Sequence, residues 1–535
     1  MKYVSLLITS SILVCTGLNR QKPPTQTITV NLRDELQTIH SFGASDCWSA
    51  KFIGRWTDEA KKNQIADLLF SLDTLANGQP KGIGLSLWRT NIGAGSYEQG
   101  DSSNIGDEWR REECYLDAQG RYDWTKQAGN QWFLRAARQR GVRYMLGFTN
   151  SPPVQMTRNR KAFSAGGRSF NLIPDSTIAF ARFLTKVAEH FSLDYLSPIN
   201  EPQWDWKAGK NGKAGQEGSP AINEDIAAVT KALSAELSHN KARTKVISGE
   251  AGQLDFLFAK SESGRGNQLA YFVSPKAVDP ILNLPNVEPV WSYHSYFTTC
   301  QDSLLVSMRQ KVAQEVHAWG SRNGTSPAIW QSEFGVLGDI CGRYNGAPRH
   351  VNMDYGLYVA KVIHNDLTVA GVTSWQWWLA INPYNYSDGL VYINAPDGTY
   401  QKHDKARNGG QVLDSKQLWA FGNFARFVRP GMKRVAVRMS PSSDALQEAS
   451  QCMVSAYKDE SRRQVVLVCI NMTAEPTSVT LNGLTLRTNK LTSYSTTEAK
   501  NLAKATVPAG VIALEPRQGY HPGWALLAMR RLLKC

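Results

Sequence analysis

The chain has 535 residues, 42% of them hydrophobic and 20% charged, which allows a sizeable core and excludes wholesale disorder. At roughly 100–200 residues per domain, the length implies one large barrel or two to three smaller units. Lys and Arg number 60 against 46 Asp and Glu, a formal charge of +14, yet no block of like charge stands out, which argues against nucleic acid as a partner. Sixteen Trp and nineteen Tyr are the more telling excess, because flat amphipathic rings suit sugar faces as well as cores.

Residues 1–20 read as a signal peptide. Met1-Lys2 precedes an apolar run from Val4 to Val14 that is too short to cross a membrane as a helix. Cys15 resembles the cysteine of a lipoprotein cleavage box, although Val14 stands where a small residue is usual, so lipidation stays open. The expectation is export: periplasmic, outer-membrane lipoprotein or secreted, with membrane contact only through such an anchor. Residues 26–40, with the β-branched run Gln26–Asn31, are expected to lend a strand to a side domain.

Eight β-rich runs follow: His40–Trp48, Gly84–Ile92, Arg143–Phe148, Tyr195–Asn200, Lys245–Gly249, Val290–Tyr296, Ala328–Glu333 and Val372–Trp377. Amphipathic helical patterns lie between several of them, at Asp58–Leu72, Gln131–Gln139, Ser176–His190, Ile222–Leu237, Leu304–Trp319 and Asp354–Leu367. This alternation predicts an α/β fold, a (β/α)8 TIM barrel over residues 41–425. A doubly wound sheet is the alternative, but no glycine-rich phosphate fingerprint follows the first run. Past Phe427-Val428-Arg429-Pro430-Gly431 the texture changes to short strand-like runs, Arg434–Arg438, Cys452–Tyr457, Gln464–Ile470 and Ser478–Leu481, which predict a small all-β side sandwich over 426–517. Residues 518–535 form a basic apolar tail of unassigned role, with Trp524–Leu533 read as a frayed helix.

In a barrel, the C-terminal ends of the strands build the active-site floor. Two carboxylates sit at such ends: Glu201 in Ser197-Pro-Ile-Asn-Glu-Pro-Gln-Trp204 and Glu333 in Trp330-Gln-Ser-Glu-Phe-Gly335. They close the fourth and seventh strand candidates, which face each other across the mouth. Paired carboxylates with different surroundings are the machinery of glycoside hydrolysis, one donating a proton and the other attacking. No cofactor is expected. The cysteines show no zinc-ligand spacing, His403, Asp404 and His364 form no metal site, and Cys300 and Cys341 are candidates for a bridge whose pairing the sequence leaves open.

Asn200-Glu201-Pro202 and Glu333 resemble the acid/base and nucleophile motifs of retaining (β/α)8 glycosidases, and the finer match is to glycoside hydrolase family 30. Phe42-Gly43-Ala44, Arg89, Ser151-Pro152-Pro153, His294-Ser295-Tyr296, Trp375-Gln-Trp-Trp378 and Phe421-Gly422-Asn423-Phe424 share in that resemblance, which runs from about residue 26 to 516. Glu201-Pro-Gln-Trp-Asp-Trp206 and Gln216-Glu217-Gly218 resemble the branch acting on β-1,6-linked galactan. Family members that cleave glucosylceramide carry a Trp shortly after the Ser-Pro-Pro turn; here Val154 stands in that place.

The resemblance implies a polysaccharide or oligosaccharide substrate and a role for each residue. Glu333 would attack the anomeric carbon, and Glu201 would serve as acid and then base. Asn200 would bind the 2-hydroxyl, Tyr296 and Arg89 would donate to Glu333, and His294 would be a substrate-binding residue, with a satisfied barrel histidine as the alternative. Trp377 would floor the subsite, while Trp204, Trp206, Glu217, Asp46 and Trp48 would meet sugar on the mouth loops. Other family 30 activities (β-1,6-glucanase, glucuronoxylanase, glucosylceramidase) and a non-catalytic carbohydrate-binding protein are the alternatives.

Overall fold

The structure, a computed structural model, describes residues 25–515 except 262, 274–276, 324–326, 339–340 and 486–489, together with the backbone of 526–532. The signal-peptide and Cys15 readings therefore lie outside the described residues. The first strand, β1 (Thr25–Thr38), belongs to the side sheet, and the barrel follows. Its strands are β2 (Ser41–Ser45), β3 (Leu87–Asn91), β4 (Tyr144–Phe148), β5 (Tyr195–Ser197), β6 (Lys245–Ala251), β7 (Val287–His294), β8 (Ala328–Phe334) and β9 (Ser374–Asn382). Neighbours pair in parallel, and β9 pairs back onto β2, Ser41 against Ser374, which closes the ring. Each of the eight β-rich runs becomes one barrel strand. Two short strands not foreseen, β10 (Gly389–Asn394) and β11 (Gln411–Leu413), extend the sheet beyond β9.

Strand alternation explains how one run serves two cores. On β3, Leu87 joins Leu146, Phe148, Ile247, Val290 and Trp330 inside the barrel. Trp88, one residue on, turns outward into the layer under the helices, edge-on to Phe70. The next inward position is Arg89, fully buried, so β3 carries its charge from the packed interior to the mouth.

The side domain is a nine-stranded sheet in the order β17-β16-β19-β14-β13-β12-β1-β15-β18. Its added strands are β12 (Lys433–Ser440), β13 (Cys452–Asp459), β14 (Gln464–Asn471), β15 (Thr477–Asn482), β16 (Lys490–Thr496), β17 (Ala503–Pro508), β18 (Val511–Leu514) and β19 (Leu526–Leu532). The sheet curls over a core of Ile28, Val435, Val454, Leu467, Val479 and Ile512. On β14, Leu467 and Cys469 face that core while Val466, Val468 and Ile470 face the barrel, so the strand is apolar without alternation because both faces are buried. The helix reading of Trp524–Leu533 is corrected: residues 526–532 pair antiparallel with β14 on one side and β16 on the other. A gap between two strands is filled by backbone hydrogen bonds, which local sequence does not advertise.

Candidate active site

The carboxylates of interest need help from the backbone to face inward. On β8, Ala328 and Trp330 point into the barrel, so strict alternation would turn Glu333 outward. A register shift against both neighbours intervenes, Tyr293 pairing with Gln331 but His294 with Glu333, and re-aims Glu333 at the mouth. On β6 a second irregularity does the same for Glu250. Gly249 has φ +111°, and a Cβ there would lie 2.5 Å from the Ser292 carbonyl oxygen, so only glycine fits. Glu201, just past β5, has φ +44° and anchors its N–H on the Glu250 carbonyl at 3.1 Å.

Five charged or chargeable groups then meet. Arg89 donates to Glu333 at 2.5 Å, to Asn200 Oδ1 at 2.8 Å and to Glu250 at 2.7 Å. His294 shares Nδ1 with Glu201 at 2.8 Å and Nε2 with Glu250 at 3.2 Å, and lies 3.6 Å from Glu333. Tyr296 donates its hydroxyl to Glu333 at 3.1 Å. Oxygens of Glu201 and Glu333 and a ring nitrogen of His294 all lie within 4.8 Å of one another. That trio has the reach to hold a cation. Both His294 nitrogens, however, already face carboxylates, those of Glu201 and Glu250.

Burial opposes charge throughout the cluster, and the partners decide the outcome. Burial would lower His294, but the Glu333 charge and the bonds to Glu201 and Glu250 lift it to about 10. Burial would raise Glu250, but Arg89 and His294 hold it at about 2. Glu333 is pushed up by burial and by Glu201, against the pull of His294 and Arg89.

A cavity of about 340 Å³ opens above this cluster. Asn200, Glu201, Tyr296 and Glu333 form its floor, and Trp204, Trp206, Gln216, Phe297, Leu337 and Trp378 its walls. Larger cavities of about 670 and 680 Å³ lie at the base of the barrel and against the side sheet; neither touches the cluster. A disulfide between Cys300 and Cys341 ties the loop after β7 to the loop after β8 on the rim.

Four expected sugar contacts are placed elsewhere. Trp377 is fully buried against Phe334 and Trp375, with its indole N–H on the Asp388 carbonyl. Alternation along β9 gives the wall position to Trp378 instead. Glu217 is fully buried behind the wall, accepting from Ala94 N–H at 3.1 Å and the Ser96 hydroxyl at 2.5 Å; burial lifts its carboxyl to about 7 against those donors. Asp46 accepts from Thr90 and Asn91, and Trp48 packs edge-on against Trp378 inside the barrel. Sequence reasoning missed Glu250, although its signal was the one used for Glu201 and Glu333: a carboxylate at a strand end, one residue beyond the Lys245–Gly249 run.

Comparison with known proteins agrees with this geometry. Residues 25–392 match the family model described as O-Glycosyl hydrolase family 30. A conserved exported protein from Bacteroides fragilis superposes with a TM-score of 0.86 at 32% identity, covering 94% of this chain and 100% of that one. The catalytic domain of a family 30 xylanase C from Talaromyces cellulolyticus gives 0.63 at 20% identity, over 95% and 100%. An endo-β-1,6-glucanase gives 0.61 at 14% identity, over 95% and 94%. The barrel with its side β-domain is common ground, and the chain belongs to O-glycosyl hydrolase family 30.

Proposed function

We propose that this hydrolase cleaves β-1,6-galactosidic linkages, in galactan or arabinogalactan side chains, by double displacement with retention. The observation that carries the retaining reading is the approach of Glu201 and Glu333 to within 4.8 Å. Retaining pairs stand about 5–5.5 Å apart, whereas inverting pairs stand about 6.5–9.5 Å apart to admit a water. In the first step a Glu333 oxygen attacks the anomeric carbon, the glycosidic C–O bond breaks, and Glu201 gives its proton to the departing oxygen. In the second, Glu201 takes a proton from water as the water oxygen displaces Glu333.

The assignment of roles follows from the donors. Glu333 accepts from both Arg89 and Tyr296, which orient it and spread its charge. Glu201 has His294 on one oxygen and forms part of the cavity floor, positioned to pass a proton. Asn200, held by Arg89, faces the same cavity, where an amide N–H₂ can bond a sugar hydroxyl more strongly as oxocarbenium charge develops.

Galactan is supported by Trp204, Trp206 and Trp378 around the mouth and by Gln216 as a polar wall residue. Val154 stands where a glucosylceramide-cleaving relative carries Trp. Work outside the cytoplasm is supported by the apolar leader at Val4–Val14 and by the exported relative. The test is product profiling on de-arabinosylated arabinogalactan beside β-1,6-glucan and glucuronoxylan, with proton NMR of the first-formed anomer. Release of β-configured galactose oligomers is expected. A first-formed α anomer would overturn retention, and turnover confined to glucan or xylan would overturn the substrate.

A further inference from the structure

Glu217 is a fully buried carboxylate that the chemistry above does not use, and its surroundings lead to the active site through an unbroken set of contacts. Its side chain bonds the loop after β3 at three points: Ala94 N–H at 3.1 Å, Ser96 N–H at 3.4 Å and the Ser96 hydroxyl at 2.5 Å. The next residue, Gly218, donates to the Ala162 carbonyl at 2.8 Å and lies flat under the Trp206 indole. A Cβ at position 218 would come within 2.5–2.7 Å of three ring atoms, so any other residue displaces the ring. Trp206 has φ +47°, and its indole N–H donates to the Glu201 carbonyl at 2.9 Å. Glu201 also has a left-handed backbone, at φ +44°. A non-glycine residue holds that conformation only where its surroundings enforce it.

We infer that Glu217 and Gly218 form a brace that seats Trp206 and, through the indole N–H, fixes the backbone of Glu201 so that its carboxyl meets the leaving oxygen. Glu217 is on this account a positioning residue, not a sugar contact. The inference rests on Glu201 being the acid/base.

The test uses Glu217→Gln, Gly218→Ala and Trp206→Phe in the full chain, with Glu201→Ala measured beside them. Each is assayed on a β-1,6-galactan oligomer and on an aryl galactoside with an activated leaving group. A displaced acid harms the oligomer, which needs protonation, more than the aryl glycoside, which does not. The expected result is a loss of about 10–100-fold in kcat on the oligomer for Glu217→Gln and Gly218→Ala, the scale of a displacement of about 1 Å, with a several-fold smaller loss on the aryl substrate. Trp206→Phe, which keeps a ring over Gly218 but loses the N–H, should show the same split. Equal losses on both substrates, or none, while Glu201→Ala does show the split, would overturn the brace alone. No split in Glu201→Ala would remove the acid reading itself. Should Gly218→Ala fail to fold, Glu217→Gln and Trp206→Phe still decide the matter.

Discussion

The lower and upper halves of the barrel interior are equally buried and differ in kind. Below, Leu87, Leu146, Val290 and Trp330 pack as an apolar plug. Above, Arg89, Glu250, His294 and Glu333 are each 3% exposed or less and hold charge in the same shelter. An ion pair taken out of water seldom gains over an apolar pair of the same size, because desolvation offsets the Coulomb attraction. The upper half thus carries a stability cost that the lower half avoids. Two β-irregularities sit in that half, at Gly249-Glu250 on β6 and Gln331–Phe334 on β8, and another lies lower on β6, between Val246 and Ser248. Departures from regularity at the strand ends aim the carboxylates.

The sharpest break of this contrast is Glu333→Gln. The amide is nearly isosteric, keeps through its single oxygen one of the two bonds from Arg89 and Tyr296, and cannot form a stable glycosyl ester. Turnover should fall by about 10³-fold or more while oligosaccharide binding, measured by calorimetry, persists. An active Glu333→Gln protein would remove the nucleophile assignment. Glu201→Ala should follow at about 10²–10⁴-fold on unactivated substrate, with azide restoring turnover of an activated aryl glycoside by attacking the glycosyl-enzyme. Equal loss on both substrates, with no azide product, would assign Glu201 another role.

Glu250→Gln probes what holds the charged half together, since Glu250 touches both Arg89 and His294. His294, lifted to about 10 from an ordinary value near 6.5, adds stability that is complete below about pH 6.5 and fades as pH rises toward 10. Glu250, held at about 2 from 4.5, adds stability that is complete above about pH 4.5 and is lost as pH falls toward 2. Glu112, raised by burial to about 8, reinforces the alkaline fall, because unfolding releases its proton. Because the Glu112 contribution begins to fade at about pH 4.5, Tm should peak near pH 4.5, where the acid and alkaline limbs meet. In Glu250→Gln the acid limb should flatten and the alkaline limb of His294 should end at lower pH, with a drop of about 3–5 kcal/mol at the peak from the broken buried pairs. A variant whose Tm profile parallels the parent would show that Glu250 is not the link.

The contrast also marks where the sequence was readable. All eight barrel strands stood out because apolar runs bounded by polar loops are a local signal, and Glu201 and Glu333 stood out as charges at the ends of such runs. What failed was side-chain direction. Trp377 and Trp378 are adjacent, and which of them faces the cavity depends on the path of β9 beside β2, where the pairing slips between Ala44 and Ser45. The resemblance carried by Gln216-Glu217-Gly218 puts Glu217 at the mouth, yet the chain turns it inward onto Ala94 and Ser96 while Gln216 lines the cavity. The strand at 526–532 was illegible for a different reason: its partners Val466 and Tyr494 lie far from it in sequence.

The smallest expected effect concerns the walls above the charged half. Galactose carries an axial 4-hydroxyl on one face, which leaves the opposite face apolar enough to stack on an indole. Trp204, Trp206 and Trp378 offer such faces, and Gln216, which accepts from Arg110 at 3.3 Å, is a polar neighbour within bonding reach of a sugar. A wall that bonds an axial hydroxyl rejects the gluco epimer, because the misplaced hydroxyl leaves wall groups unpaired at about 1–3 kcal/mol each. One such group predicts at least roughly tenfold higher kcat/KM on a β-1,6-galactotetraose than on the matching glucan tetrasaccharide. Gln216→Ala should narrow that ratio without changing the first-formed anomer. Equal values in the parent protein, or a preference for glucose, would leave the chemistry of Glu201 and Glu333 standing and withdraw galactan as the substrate.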